Sequence, residues 1–154
     1  MEASNQSKKF PARRIVLNSA ACGGCMTCER ICSARHFHEC RGDLSAIHIH
    51  ADFYEDTFTL FNCRQCAKAA CKDACPTGAI QFEEERRAFY INKDTCIGCG
   101  ACTEACPFKG KLWPYINEAV CDGEGYIVKC DLCHGFEDGP ACVKHCPKGA
   151  LSIK

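Results

Sequence analysis

Cys96-Ile97-Gly98-Cys99-Gly100-Ala101-Cys102-Thr103-Glu104-Ala105-Cys106-Pro107 reads C-x2-C-x2-C-x3-C-P, the spacing of thiolates that ligate an iron–sulfur cubane. Three sulfurs two residues apart converge on one cubane only if the chain curls around it. Ile97-Gly98 and Gly100-Ala101 put small or permissive residues where that curl falls. The fourth cysteine begins a helical turn, so its sulfur points away, toward a second cluster, and Pro107 directs the chain out of the loop. A lone C-x-x-C is a weak signal; four cysteines in this register with a trailing proline are a specific one.

The chain carries three more versions of the pattern. Run one is Cys22-x2-Cys25-x2-Cys28-x3-Cys32, with Ser33 in place of the proline, which predicts a more helical exit. Run two is Cys63-x2-Cys66-x4-Cys71-x3-Cys75-Pro76, the opening stretch is run three, and run four is Cys130-x2-Cys133-x8-Cys142-x3-Cys146-Pro147. After run four, Lys148-Gly149-Ala150-Leu151-Ser152-Ile153 repeats Thr77-Gly78-Ala79-Ile80-Gln81-Phe82 almost position for position, so the chain holds an internal repeat of strand, ligand loop, short helix, turn and strand. Of the 18 cysteines only Cys40 and Cys121 fall outside the runs, and both read as unliganded thiols.

Composition agrees with a metal-stapled fold. The apolar share of 47% includes all 18 cysteines; without them about 35% remains, thin for a self-sufficient core. A disulfide scaffold is the rival use of so many cysteines. Spacing in fours, two residues apart, is ligand spacing rather than loop-closing spacing. The start has no apolar h-region, even after Arg13-Arg14, which predicts a reduced, cytoplasmic protein. No apolar run approaches the ~20 residues that span a bilayer. Nineteen basic and nineteen acidic residues balance and give no sign of nucleic-acid binding. Thiolate-bound cubanes add negative charge, so the sequence pI of 6.9 describes only the apo chain.

Residues 1–13 read as a polar, basic tail. Arg14-Ile15-Val16-Leu17-Asn18 is a short strand. Ala46 to Phe53 and Thr57 to Phe61 alternate apolar and polar as half-buried strands do, with Tyr54-Glu55-Asp56 turning between them. Ile80 to Phe82 and Ala88 to Asn92 pair across Glu83 to Arg87, expected as a solvated turn. Residues 108–129 form an insertion holding Trp113, Tyr115 and Cys121, its aromatics expected to shield a cluster from water. The fold class is α+β, with two pseudo-symmetric dicluster ferredoxin-like modules of short β-hairpins and short helices. An outer, discontinuous module takes residues 14–50 plus 121–154, and an inner one residues 51–110.

In two-cluster ferredoxins the fourth cysteine of each run ligates the partner run's cluster. Runs two and three, separated by a hairpin, resemble that arrangement. The resemblance implies one cluster on Cys63, Cys66, Cys71 and Cys106 and another on Cys96, Cys99, Cys102 and Cys75. By elimination runs one and four close a second module, with clusters on Cys22, Cys25, Cys28 and Cys146 and on Cys130, Cys133, Cys142 and Cys32. Pairing of runs one and two is the alternative.

As a set, CGGCMTCERIC, CRQCAKAACKDACP, CIGCGACTEACP and CDLCHGFEDGPACVKHCP resemble the four-cluster, polyferredoxin-type electron-transfer subunits of redox complexes, over Asn18 to Ile153. Compactness and the lead-in CSARHFHECRGDLSAIHI make it most similar to the small subunits that accompany tungsten aldehyde:ferredoxin oxidoreductase-type enzymes. The resemblance implies four [4Fe–4S] clusters and no catalytic residue of its own. It implies a catalytic tungsten or molybdenum subunit as partner, with a second redox subunit or ferredoxin on the other side, and self-association into a longer wire is compatible with it. Subunits of hydrogenases and carbon monoxide dehydrogenases share the pattern. No G-x-G-x-x-G or P-loop run supports an enzyme. A zinc-binding interaction module is the rival of another class, since run four alone would pass as a zinc site. The histidines (His36, His38, His48, His50, His134, His145) read as surface or packing residues. His145, next to Cys146, is also placed to tune a potential by hydrogen bonding.

Overall fold

The computed structural model describes residues 10–109 and 112–154. Four antiparallel strand pairs and four helices are arranged around the cysteine runs, in the small mixed architecture of a ferredoxin-like dicluster protein. Strand β1 (Ile15–Leu17) leads into run one and helix α1 (Thr27–Phe37). Hairpin β2 (Ile47–Asp52)–β3 (Thr57–Asn62) precedes run two and α2 (Ala70–Ala74). Hairpin β4 (Ile80–Glu83)–β5 (Ala88–Ile91) precedes run three and α3 (Ala101–Ala105). Hairpin β6 (Ile116–Cys121)–β7 (Glu124–Lys129) precedes run four, α4 (Ala141–Lys144) and β8 (Leu151–Ile153).

β8 pairs antiparallel with β1, Leu151 opposite Leu17 and Ile153 opposite Ile15, so the two ends of the described chain meet. Arg14 and Lys154 exchange both backbone hydrogen bonds, at 2.7 and 2.9 Å. This pair stands to runs four and one as β4–β5 stands to runs two and three. The equivalence reaches single amides. Asn92 N–H donates to Ala79 O at 2.7 Å, and Asn18 N–H donates to Ala150 O at 2.8 Å. Cys96 N–H then donates to Asn92 O, and Cys22 N–H to Asn18 O. Each exit turn passes through a glycine at positive φ, Gly78 at 65° and Gly149 at 58°. The β8–β1 pair thus repeats the β4–β5 pair, without the tight turn that joins β4 to β5.

Ser33 does what its place in the sequence predicts. Without a proline after Cys32, α1 runs 11 residues, against five, five and four for α2, α3 and α4. Fully buried, the Ser33 hydroxyl donates to Arg30 O and accepts from Arg41 N–H, both at 3.1 Å, which folds the connector back over the helix. Leu44, Ile47, Ile49, Phe58, Val128 and Leu151 are in the larger of two buried clusters, and Ile80, Phe89 and Ile116 are in the smaller one, inside runs two and three.

Three features differ from the sequence reading. Of the predicted tail, residues 1–9 lie outside the described residues. Phe10 packs its ring on Phe82 and Phe89 at 4.8 and 5.0 Å, and Arg13 N–H donates to Arg87 O, because an apolar ring has a sheet face to cover. The segment expected as an insertion contains hairpin β6–β7, turned by Asp122 and Gly123 at φ 52° and 79°, the left-handed pair of a tight two-residue turn. The Glu83–Arg87 turn is not merely solvated. Glu83 accepts a 2.7 Å hydrogen bond from His134 Nδ1, and Arg86 donates to Leu132 O and Phe136 O, holding the run-four loop.

Candidate metal centres

The curl anticipated for run three recurs in every run. The second residue after each leading cysteine has left-handed backbone: Gly24 at φ 67°, Gln65 at 51°, Gly98 at 69° and Leu132 at 54°. Glycine takes this conformation freely, whereas Gln65 and Leu132 adopt it against a strain of about 1 kcal/mol each. Two non-glycine residues in a strained conformation at equivalent positions indicate that the loop shape is imposed by what it surrounds.

The cysteines gather into four groups. Cys22, Cys25, Cys28 and Cys146 line one small cavity, and Cys75, Cys96, Cys99 and Cys102 line another. Two more groups are present, one buried throughout and one half-buried. Burial pushes the Cys142 thiol up, and neighbouring Cys130, Cys32, Cys133 and Cys28 push it further. Burial likewise raises Cys71 to about 11 and lifts Cys66 and Cys106, with Cys63 adding to all three. Cys28 reaches about 12 through burial and the Glu29 carboxylate, and Cys32 about 11 through burial.

In every run the last two cysteines stand four residues apart; α1 contains both, about 6 Å apart along its axis, whereas Cys75, Cys106 and Cys146 lie just past the ends of α2, α3 and α4. Cys28 and Cys32 of run one therefore serve adjacent groups, as do Cys142 and Cys146, Cys71 and Cys75, and Cys102 and Cys106. The effect of Cys63 on Cys130 links the two middle groups. The four groups thus run in series: Cys22/25/28/146, then Cys32/130/133/142, then Cys63/66/71/106, then Cys75/96/99/102. Cys25 and Cys99 are exposed at the two ends, while all four thiols of the second group are buried.

The donor set fits clusters rather than free thiols. Crowded thiols held up by burial and by one another lose their protons together only when a cation neutralises them. Backbone amides already point at the sulfurs. Ala79 N–H donates to Cys75 Sγ at 3.2 Å and Ala150 N–H to Cys146 Sγ at 3.3 Å, the same bond in both modules. Ala46 and Gln65 amides reach Cys32 and Cys63 sulfurs, each at 3.4 Å. Such bonds stabilise thiolate and help set a cluster's potential. At the exposed Cys25, a hydrogen bond with Thr27 at 3.3 Å holds the thiol below its ordinary value.

Several side chains around the groups escaped the sequence reading. His36 Nε2 stands 3.7 Å from Cys133 Sγ, whereas His145 is exposed. Trp113 stacks on buried His48 at 4.4 Å, so it covers a histidine rather than a cysteine group. Arg35 on α1 forms a two-pronged pair with Asp138 at 2.7 and 2.9 Å and pins the long run-four loop. Gln65 and Lys129 lie buried between the two middle groups, and no periodicity or motif marks them. Cys40 is exposed; Cys121 is buried and donates toward Glu39 Oε1 at 3.7 Å.

Comparison with known proteins bears on this geometry. Residues 62–109, runs two and three, match the 4Fe–4S dicluster domain. The electron transport protein HydN of Escherichia coli (strain K12) is 35% identical over 90% of this chain and 86% of its own length. The chain belongs to the 4Fe–4S ferredoxin-like electron-transport proteins. A second member, the polyferredoxin-like subunit of an aliphatic sulfonate oxidoreductase from Pyrococcus furiosus, is 35% identical over 86% of this chain and 70% of its own. The Escherichia coli oxidoreductase AegA is 36% identical over 92% of this chain, which spans only 22% of that protein. Among the described residues no helix is long and apolar enough to cross a membrane.

Proposed function

We propose that this chain is a non-catalytic electron-transfer subunit that relays single electrons through four [4Fe–4S] clusters, between a catalytic subunit and another redox carrier in the cytoplasm. The observation that carries the reading is the series of four cysteine groups with an exposed cysteine at each end, Cys25 and Cys99, and none exposed in the two groups between. A [4Fe–4S] cluster in each group supplies a one-electron redox centre. The ligand sets we propose are Cys22, Cys25, Cys28 and Cys146; Cys32, Cys130, Cys133 and Cys142; Cys63, Cys66, Cys71 and Cys106; and Cys75, Cys96, Cys99 and Cys102. They divide between an outer module of residues 14–50 with 121–154 and an inner module of residues 51–110. The four buried cysteines of the second group and the unexposed ones of the third limit access of water, and the thinly covered loops at Cys25 and Cys99 are where electrons enter and leave.

For the catalytic partner we propose a tungsten enzyme of the aldehyde oxidoreductase type. The motif resemblance supports this, and the Pyrococcus relative is itself named as a subunit of an oxidoreductase. Metal analysis of the native complex, purified without oxygen through a tag on this chain, tests both parts. About 16 iron atoms per chain, four for each cubane, are expected, with tungsten co-purifying. Iron well below that, or zinc in its place, overturns the four-cluster reading. Molybdenum or nickel in place of tungsten overturns the partner assignment alone. Within the ligand assignment, Cys32→Ser is expected to alter the spectrum of the cluster on Cys130, Cys133 and Cys142. An effect on the Cys63 cluster instead would favour pairing of runs one and two.

A further inference from the structure

In the two end groups the second residue after the leading cysteine is glycine, Gly24 and Gly98; in the two middle groups it is Gln65 and Leu132. All four have left-handed backbone, which glycine alone adopts without strain. Both non-glycine side chains are buried, Gln65 at 4% exposure and Leu132 at 3%. Strain is thus accepted only in the middle groups, where a side chain has something to reach. For Gln65 the hydrogen bonds show what that is.

Gln65 Oε1 accepts from Phe89 N–H at 2.7 Å, and Nε2 donates to Cys130 O at 2.7 Å and to Phe89 O at 3.4 Å. Its own backbone N–H donates to Cys63 Sγ at 3.4 Å. The two ends of the side-chain amide pair with both backbone groups of Phe89, as a neighbouring strand would. One residue therefore joins the leading cysteine of run two, the leading cysteine of run four and the edge of β5. Lys129 Nζ reaches the same two carbonyls, Phe89 O at 2.6 Å and Cys130 O at 3.0 Å, but makes no hydrogen bond to run two. Among the described residues, the bond from Gln65 to Cys130 O is the one side-chain hydrogen bond between run two and run four. A buried amide with each arm satisfied is rigid, because leaving an arm unpaired costs more than the bond contributes.

We propose that Gln65 is a positioning residue at the junction of the two modules: it holds Cys63 of one middle group and Cys130 of the other at a single separation, on which passage of an electron between the modules depends. The inference rests on the four-cluster reading above. The passage moves one electron from one middle site to the other, with no bond made or broken and no proton transferred. Gln65 is neither oxidised nor reduced; it contributes fixed spacing.

The test uses the full chain, purified without oxygen and reduced with titanium(III) citrate, with electron paramagnetic resonance reading the magnetic interactions between reduced clusters. An interaction within the outer module responds to Cys142→Ser alone, and one within the inner module to Cys71→Ser alone. The interaction across the junction is the one that both alter. Gln65→Met keeps the length of the side chain without its hydrogen bonds, and Gln65→Gly takes the left-handed backbone freely. Both are expected to stay iron-replete and to broaden or lose the junction interaction, leaving the other two as in the native protein. Hydrogen exchange at Phe89 N–H should quicken about tenfold in both, the loss of one buried hydrogen bond. Gln65→Glu keeps the acceptor for Phe89 N–H but not the donor to Cys130 O, so it should protect Phe89 and still disturb the junction. If the iron-replete variants keep a native junction interaction, or if Gln65→Met alters all three interactions alike, the proposal is overturned while the four-cluster reading stands. Loss of iron from both Gln65→Met and Gln65→Gly also overturns it, since Gln65 would then hold its own ligand loop rather than the junction. Wild-type protein with iron well below four cubanes instead removes the reading itself.

Discussion

Around Cys75 and Cys96 a four-residue turn, residues 84–87, closes the strand pair between two cysteine runs. Around Cys146 and Cys22 no tight turn joins the equivalent strands, and β1 pairs with β8 across most of the described residues. The amide contacts are nevertheless the same, Asn92 to Ala79 in one module and Asn18 to Ala150 in the other. Geometry in each module is therefore carried by the short segments either side of a cysteine, not by continuity between them. Continuity matters to the energetics. Bringing together strands about 130 residues apart, rather than about four, costs roughly 3 kcal/mol more in loop-closure entropy, less to the extent that the inner module has already formed. The β1–β8 pairing is accordingly the one that depends more on the side chains packed around it.

The sharpest way to break this comparison is to remove one buried side chain at the same place in each module. Leu151 and Ile80 both open the strand that follows a Cys-Pro-x-Gly-Ala exit, and both are buried. Leu151→Ala and Ile80→Ala each remove contacts worth about 2–5 kcal/mol. Leu151→Ala is expected to release iron from the outer module, taking the chain toward half its content, while Ile80→Ala lowers the melting temperature with less iron lost. Equal iron loss in the two variants would show that the modules stand or fall together.

A proline at position 33 tests the departure of run one from the other three. Runs two, three and four all have proline after their last cysteine, and run one has the buried Ser33 inside α1. Ser33→Pro removes a backbone donor and the hydroxyl that receives Arg41 N–H, so it should destabilise the protein by about 3 kcal/mol or more. Chemical denaturation of the holoprotein measures it. A neutral outcome would mean that the longer helix is incidental to the outer module.

The cysteine runs were legible because a cluster's ligands lie close in sequence and their spacing is itself the signal. The pairing of β2 with β3 was legible for a similar reason, alternation within a dozen residues. Hairpin β6–β7 had a visible sign, Asp122-Gly123 beside a β-rich run, but the aromatics ahead of it drew the segment toward the reading of an insertion that shields a cluster. What sequence could not show is contact across long separations. Gln65 reads as filler between two ligands until Cys130 O, 65 residues on, comes within 2.7 Å of its amide. Lys129 reads as an ordinary charge beside a motif. His36 gains meaning only from Cys133, 97 residues away.

The Glu83–Arg87 turn is the clearest instance, and it yields the smallest of the expected effects. The turn that makes the inner module continuous also grips the outer one, through the 2.7 Å contact of Glu83 with His134 and the reach of Arg86 to the Leu132 and Phe136 carbonyls. Glu83 also pairs with Arg86 at 3.5 Å, so a single carboxylate orients both groups through which this turn reaches the run-four loop. Removing it in Glu83→Ala forfeits one charged hydrogen bond and one partly exposed ion pair, together about 1–2 kcal/mol. The inner module should keep its iron, and hydrogen exchange should quicken over residues 131–139. If exchange quickens instead over β4 and β5, the turn serves its own hairpin alone, and the loop between Cys133 and Cys142 is held by Arg35 and Asp138.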